Sequence, residues 1–192
     1  MEAIKHLSMT ELEAGMDYIR QSPKDNGILK MIVRRPVDDE REVVERGELD
    51  LSEGLLGDNW KSRGSRQTAD GSAHPEAQIT VMNARTIELL AQEAGRWPLA
   101  GDQLYIDLDL SDDNLPPGTR LAIGSAILEV SSIPHTGCKK FSARFGVEAM
   151  KFVNSLEGKR LHLRGINTRI IQSGVIQVGD IVKKINHGAL IE

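Results

Sequence analysis

The chain has 192 residues, 40% of them apolar and 27% charged, with a formal net charge of -4. This length supports one domain with a real hydrophobic core, and so mild a negative charge gives no support to nucleic-acid binding. A single cysteine excludes a disulfide scaffold and fits a reducing compartment.

Met1 to His6 contain no apolar signal segment, and no apolar run approaches the ~18 residues of a membrane helix. A cytoplasmic protein without membrane contact is therefore expected. Eighteen glycines and seven prolines among few aromatics favour short strands and many turns.

In chain order, Thr10-Glu11-Leu12-Glu13 reads as a capping box with Thr10 as N-cap, and the helix ends near Ser22-Pro23. Gly27 to Val33 is a first strand. Asp38 to Asp50 is charge-dense, either an exposed strand pair or a loop. Gly54 to Trp60 is a glycine-punctuated turn, through which Asp58 and Asn59 are placed to meet a ligand. Lys61 to Ala77, polar and without period, is a functional loop or a disordered one. His74 reads as a plain loop residue.

Gln78 to Met82 is a strand. Asn83 caps the next helix, with Gly95 as its C′ residue. Leu104, Ile106, Leu108 and Leu110 alternate onto one strand face. Further strands are expected at Arg120–Ile123, Ala126–Val130, Leu161–Arg164, Thr168–Ile171, Val175–Val178 and Asp180–Ile185. Phe141 to Ser155 is helical, with Gly146 as a break point. Many short strands with isolated helices predict a barrel or sandwich with helical insertions.

The residue of greatest chemical interest is Cys138, in Pro134-His135-Thr136-Gly137-Cys138-Lys139-Lys140. A lone thiol is either a small core residue or a reactive group. Lys139, Lys140 and Arg144 supply nearby positive charge, and a helix starting just after Cys138 adds its N-terminal amides. Both favour a thiolate. His135 stands three residues before it, placed to assist proton transfer. A zinc site is not expected, because no second cysteine and no suitably spaced His pair exist.

Several segments in this order resemble the MOSC family, named for the C-terminal domain of molybdenum-cofactor sulfurase, and in particular its free-standing, bacterial-type members. They are Gly54-Leu55-Leu56-Gly57-Asp58, Gln78 to Asn83, Gly101-Asp102-Gln103-Leu104, and Leu115 to Gly124. After these come His135-Thr136-Gly137-Cys138, Leu163 to Arg169, and Gly174 through Gly179-Asp180. Gly101-Asp102-Gln103-Leu104 departs from the Gly-Glu-Asn-Leu-like segment of many members.

The resemblance implies a mainly β fold, an antiparallel β-barrel with peripheral α-helices. It divides the chain into an N-terminal helical extension (1–26), the MOSC domain (27–185) and a tail (186–192). It also implies that Cys138 either binds the molybdenum of the molybdopterin cofactor or carries sulfur as a persulfide. A soft thiolate suits molybdenum, and one suffices because the pterin supplies the other sulfurs.

Such a cofactor needs anion donors. The candidates are Arg63, Arg66, Lys139, Arg144, Arg164, Asn167 and Arg169, with arginine suited to bidentate phosphate recognition. The implied activity is reduction of N-hydroxylated small molecules. No Gly-x-Gly-x-x-Gly and no cysteine cluster is present, so an external electron donor is needed. The alternatives are a sulfur carrier loaded by a separate cysteine desulfurase and a non-catalytic pterin- or anion-binding module.

Overall fold

The computed structural model describes residues 5–185; the expected 186–192 tail lies outside the described residues. The N-terminal helices are α1 (Met9–Ala14) and α2 (Met16–Arg20). The N-cap of α1 is Ser8 rather than Thr10: the Ser8 hydroxyl accepts the Glu11 amide, and the Glu11 carboxylate accepts the Ser8 amide at 2.8 Å. This register places Leu7 and Leu12 in the same apolar cluster, a hydrophobic staple that Thr10 as cap would forfeit. The helix breaks at Gly15, where a Cβ would stand 2.6 Å from a methyl of Leu89.

The strands are β1 (Gly27–Arg34), β2 (Glu42–Val44), β3 (Arg46–Asp50), β4 (Gly54–Leu55), β5 (Ile79–Asn83) and β6 (Leu104–Asp107). After them come β7 (Arg120–Ile123), β8 (Ala126–Val130), β9 (Ile166–Gln172), β10 (Gly174–Gln177) and β11 (Ile181–Ile185). Seven of them run in the order β11-β7-β8-β9-β5-β6-β1 and close into a barrel through β11–β1 pairing. Only β5–β6 is parallel, joined by a crossover containing α4 (Ala84–Ala91) and a 3-10 helix, Ala94–Ala100. β2 adds to β1, and β10-β3-β4 form a second small sheet. The charge-dense 38–50 stretch is thus partly strand, contributing β2 and β3.

Strand periodicity divides the core in two. Leu104 and Ile106 of β6 enter the barrel cluster, while Tyr105 between them enters the cluster under the helices. On β5, Val81 and Met82 divide the same way. Leu108 and Leu110 also reach the barrel cluster, as the alternation predicts. The outer cluster holds all three phenylalanines, Phe141, Phe145 and Phe152, each at most 2% exposed. They come from α5 (Lys139–Phe145) and α6 (Val147–Asn154), separated at Gly146 with φ 96°. Burying such side chains, at roughly 1.5–3 kcal/mol each, fastens these helices to the barrel wall.

Two other expectations are corrected. Leu161–Arg164 is not a strand. Ser155 caps α7 (Leu156–Arg160), which runs into a turn with His162 at φ 48°. Four alternating residues satisfy a turn as readily as a strand. Helix α4 ends at Ala91 with Gln92, not Gly95, in the left-handed conformation, its amide donating to the Glu88 carbonyl. The 61–77 loop carries short structure at its ends: α3 (Trp60–Arg63), with Trp60 buried, and a 3-10 turn at Pro75–Ala77 capped by His74.

Candidate active site around Cys138

Cys138 lies at the end of the loop from β8 to α5 and is the N-cap of α5, with extended backbone. Its thiol is exposed and makes no capping hydrogen bond, so the fold does not use it. The loop itself is fixed. Asn154 of α6 accepts the Gly137 amide at 2.9 Å and donates to the Gly137 carbonyl at 3.1 Å. A Cβ at Gly137 would come within 3.1 Å of Val153 and 3.2 Å of Asn154, so glycine permits this clasp. At the start of the loop, Asn167 of β9 donates to the Ile133 carbonyl at 3.0 Å.

The thiol opens onto a cleft of about 290 Å3 lined by Arg35, Arg41, Arg63, Lys140, Arg144 and Arg164, with only Asp38 and Asp39 as carboxylates. Its charge has a simple construction. Helix ends leave carbonyls short of partners, and four successive ones here each hold one arginine, although the Pro98 carbonyl also accepts the Gly101 amide. Pro98 takes Arg41 at 3.2 Å, Leu99 takes Arg144 at 2.8 Å, Ala100 takes Arg164 at 2.9 Å, and Gly101 takes Arg35 at 3.0 Å.

Arg35 is also clamped by both oxygens of buried Asp58, each at 2.8 Å. Asp58 is therefore committed to the fold rather than presented to a ligand. Arg144 and Lys140 share Asp39, at 2.8 and 3.3 Å. Arg41 and Arg63 pair with no carboxylate among the described residues. Desolvation in the cleft lowers the pKa of both, followed by the like charge of Arg144 on Arg41 and of Arg35 on Arg63.

Beneath the thiol, Arg164 donates to fully buried Asp102 at 2.7 Å, and its guanidinium lies 4.9 Å from the centre of the Phe141 ring. The other Asp102 oxygen faces His135 Nδ1 at 3.5 Å. His135 is pushed down to about 3, first by burial and then by the Arg164 and Arg35 charges, with Asp102 opposing. It is therefore neutral near pH 7. Gly165, at φ 109°, brings the chain close here: a Cβ would stand 2.4 Å from the Val81 carbonyl and 3.4 Å from His135 Nδ1.

Of the candidates from sequence, Cys138, His135, Arg63, Arg144 and Arg164 come together in this cleft. Asn167 lines a neighbouring one, which His135 and Arg164 also line. Arg66 and Lys139 are exposed and line neither. Arg169 is drawn away from both into ion pairs with Glu129 and Glu76. Its position on a strand left its direction open, and an acid on the adjoining strand took it. Arg35, Arg41 and Asp102 were missed. Asp102 had a signal in the Gly101-Asp102-Gln103-Leu104 segment. Arg35 and Arg41 had none, because the carbonyls that hold them in the cleft, of Gly101 and Pro98, lie more than fifty residues away.

Among the described residues, no group of three His, Cys, Asp or Glu side chains is placed to hold a metal ion, and no helix is long and apolar enough to cross a membrane.

A family model for the MOSC domain matches residues 47–183. Among solved structures, the chain is similar to the YuaD protein from Bacillus subtilis at 15% identity and TM-score 0.58, covering 82% of this chain and 94% of that one. It is also similar to YiiM from Escherichia coli at 16% identity and TM-score 0.55, covering 85% and 72%. No curated protein sequence matches. The structural likenesses establish the barrel fold. The family match spans well over half of the sequence, so the chain belongs to the MOSC family.

Proposed function

We propose that the Cys138 cleft binds the anionic molybdenum cofactor, with Cys138 as thiolate ligand to the metal, and that the protein is a small oxidoreductase acting on N-hydroxylated compounds. The observation that carries this reading is the pair Arg41 and Arg63. They are two cations without carboxylate partners, crowded by further cations, in a cleft that also presents an uncommitted thiol. Crowding like charges is unfavourable unless an anion compensates them.

The residues present fit such a group. Arg41 and Arg63 would hold its phosphate, with Arg144 and Lys140 available once Asp39 is displaced. Cys138 supplies the one protein thiolate that a dithiolene-bound metal needs, and a lone cysteine could hold no metal ion tightly by itself. When bound, the cofactor supplies a redox-active centre for oxygen-atom exchange with substrate. His135, held neutral at pH 7 and directed at Asp102 through Nδ1, is suited to hydrogen-bond a ligand beside that centre rather than to take up a proton. Electrons would come from a separate donor protein.

Metal analysis tests the reading. Protein made in a molybdopterin-producing host should carry close to one molybdenum per chain, and Cys138→Ser should lose it. Equal molybdenum in both proteins, or none in either, would sink it. The exposure of Cys138 also suits a sulfur carrier. Without molybdenum, a mass gain of about 32 Da on Cys138 after incubation with a cysteine desulfurase and cysteine would support that reading instead.

A further inference from the structure

A second cleft, of about 950 Å3, adjoins the thiol cleft and shares His135 and Arg164 with it. Its walls are largely apolar, built by Pro117, Ile133, Pro134, Val153, Leu156 and Ile166. We propose that this cleft binds an uncharged, largely apolar small molecule, which presents a hydrogen-bond acceptor to the His135–Arg164 junction. Its meaning as a substrate chamber rests on the reading of the Cys138 cleft as the reactive end; binding itself does not.

Three observations converge. The volume lies within the roughly 300–1,000 Å3 typical of small-molecule sites, which are mostly apolar with a few placed polar groups. The charges at the rim are largely spent on each other: Arg160 pairs with Glu157 and Asp113, each at 2.9 Å, and His162 lies 3.0 Å from Asp112. The charges of this cleft are thus mostly paired, Lys159 excepted, whereas the thiol cleft keeps Arg41 and Arg63 unpaired among the described residues.

The third observation is unused hydrogen-bonding capacity. Among the described residues, five buried side-chain polar atoms lack a hydrogen bond. Of these, Asp102 Oδ1 and His135 Nδ1 face each other at 3.5 Å, while Arg164 Nε, on a residue that lines both clefts, is left without a partner. Native structures rarely leave such atoms unpaired without a function for them. Arg164 Nε is a donor, so the polar end of the guest must accept. At the lip, Leu156 is 91% exposed, an apolar side chain that a guest would cover.

The test uses 6-propionyl-2-(dimethylamino)naphthalene, an uncharged dye with a ketone acceptor whose emission rises and shifts to the blue in apolar surroundings, with the full chain. Wild type and Cys138→Ser should bind it equally, and millimolar inorganic phosphate should not displace it. Ile133→Arg, checked for native folding by circular dichroism, should weaken binding at least about tenfold, because the buried charge opposes an apolar guest. Leu156→Asp, at an exposed position that folding tolerates, should weaken it severalfold. No emission gain with wild type would overturn the proposal, as would unchanged affinity in both wall variants or displacement by phosphate. Because dye binding does not depend on molybdenum, a failed metal analysis leaves this result standing.

Discussion

Two groups of arginines on this molecule are held in opposite ways. On the barrel surface, Arg120 and Arg169 close on Glu129, and Arg169 also reaches Glu76, so acid and base alternate and their charges cancel. In the thiol cleft the shared anchors are main-chain carbonyls at the end of a 3-10 helix; Arg35, Arg144 and Arg164 take a carboxylate as well, but Arg41 is held by carbonyl alone and keeps its charge. A carboxylate partner consumes a cation, whereas a carbonyl positions it and leaves its charge for a ligand. Arg35, Arg144 and Arg164 stand between the two regimes, each bound to a carbonyl and to a carboxylate.

The sharpest way to break this contrast is Arg164→Ala. It strands buried Asp102 without its partner and should cost about 3–5 kcal/mol of unfolding free energy in urea titration. A loss below 1 kcal/mol would show that the pair is not as buried as its 6% exposure indicates.

Next in size is an acid effect through His135. Above pH 6.5 the ring is neutral in both native and unfolded chains and contributes nothing. Between 6.5 and about 3 the unfolded ring takes up a proton that the native ring refuses. Stability should therefore fall as pH falls through this window, by up to about 1.4 kcal/mol per pH unit. His135→Gln should flatten that part of the profile; an unchanged profile would mean that His135 charges freely in the native state.

Arg169→Ala should cost only about 1 kcal/mol or less, since its side chain is 42% exposed and solvent screens the pair. Its inorganic phosphate affinity should match wild type. Arg41→Ala should instead leave stability nearly unchanged and weaken phosphate binding about tenfold, read by calorimetry, for the loss of one charge-assisted contact. Equal effects of the two arginines on phosphate would erase the distinction drawn above.

The smallest expected change is a gain. Asp39 places its carboxylate on Lys140 and Arg144, where an anionic ligand would compete with it. Asp39→Ala should raise phosphate affinity by about two- to fivefold. Weaker binding would mean that Asp39 organises the cleft rather than competing for it.

Much of the barrel was legible in advance because period-two patterns are local. Ala126–Val130 forms the strand expected there, and the Leu104–Leu110 stripe faces the barrel core as its alternation predicts, although the strand itself ends at Asp107. Gly146, which cannot continue a helix at φ 96°, split the helical segment as anticipated. The errors occurred where two local solutions were nearly equal, as at Ser8 against Thr10 and in the four-residue Leu161–Arg164 pattern.

By itself, the sequence determined the strand-rich architecture, the lone thiol at a helix start and the glycine beside it. Each follows from periodicity, composition or one residue's backbone freedom. Only the tertiary structure decided which arginines surround that thiol. Arg35, Arg41, Arg144 and Arg164 are spread over 130 residues, and they converge on four consecutive carbonyls at one helix end, of which only that of Pro98 also takes the cap amide of Gly101. Carbonyls are common to every residue, so no side-chain pattern announces them. The pairing appears only when the barrel closes and brings β1, the Arg41 loop, α5 and the turn after α7 to the same edge.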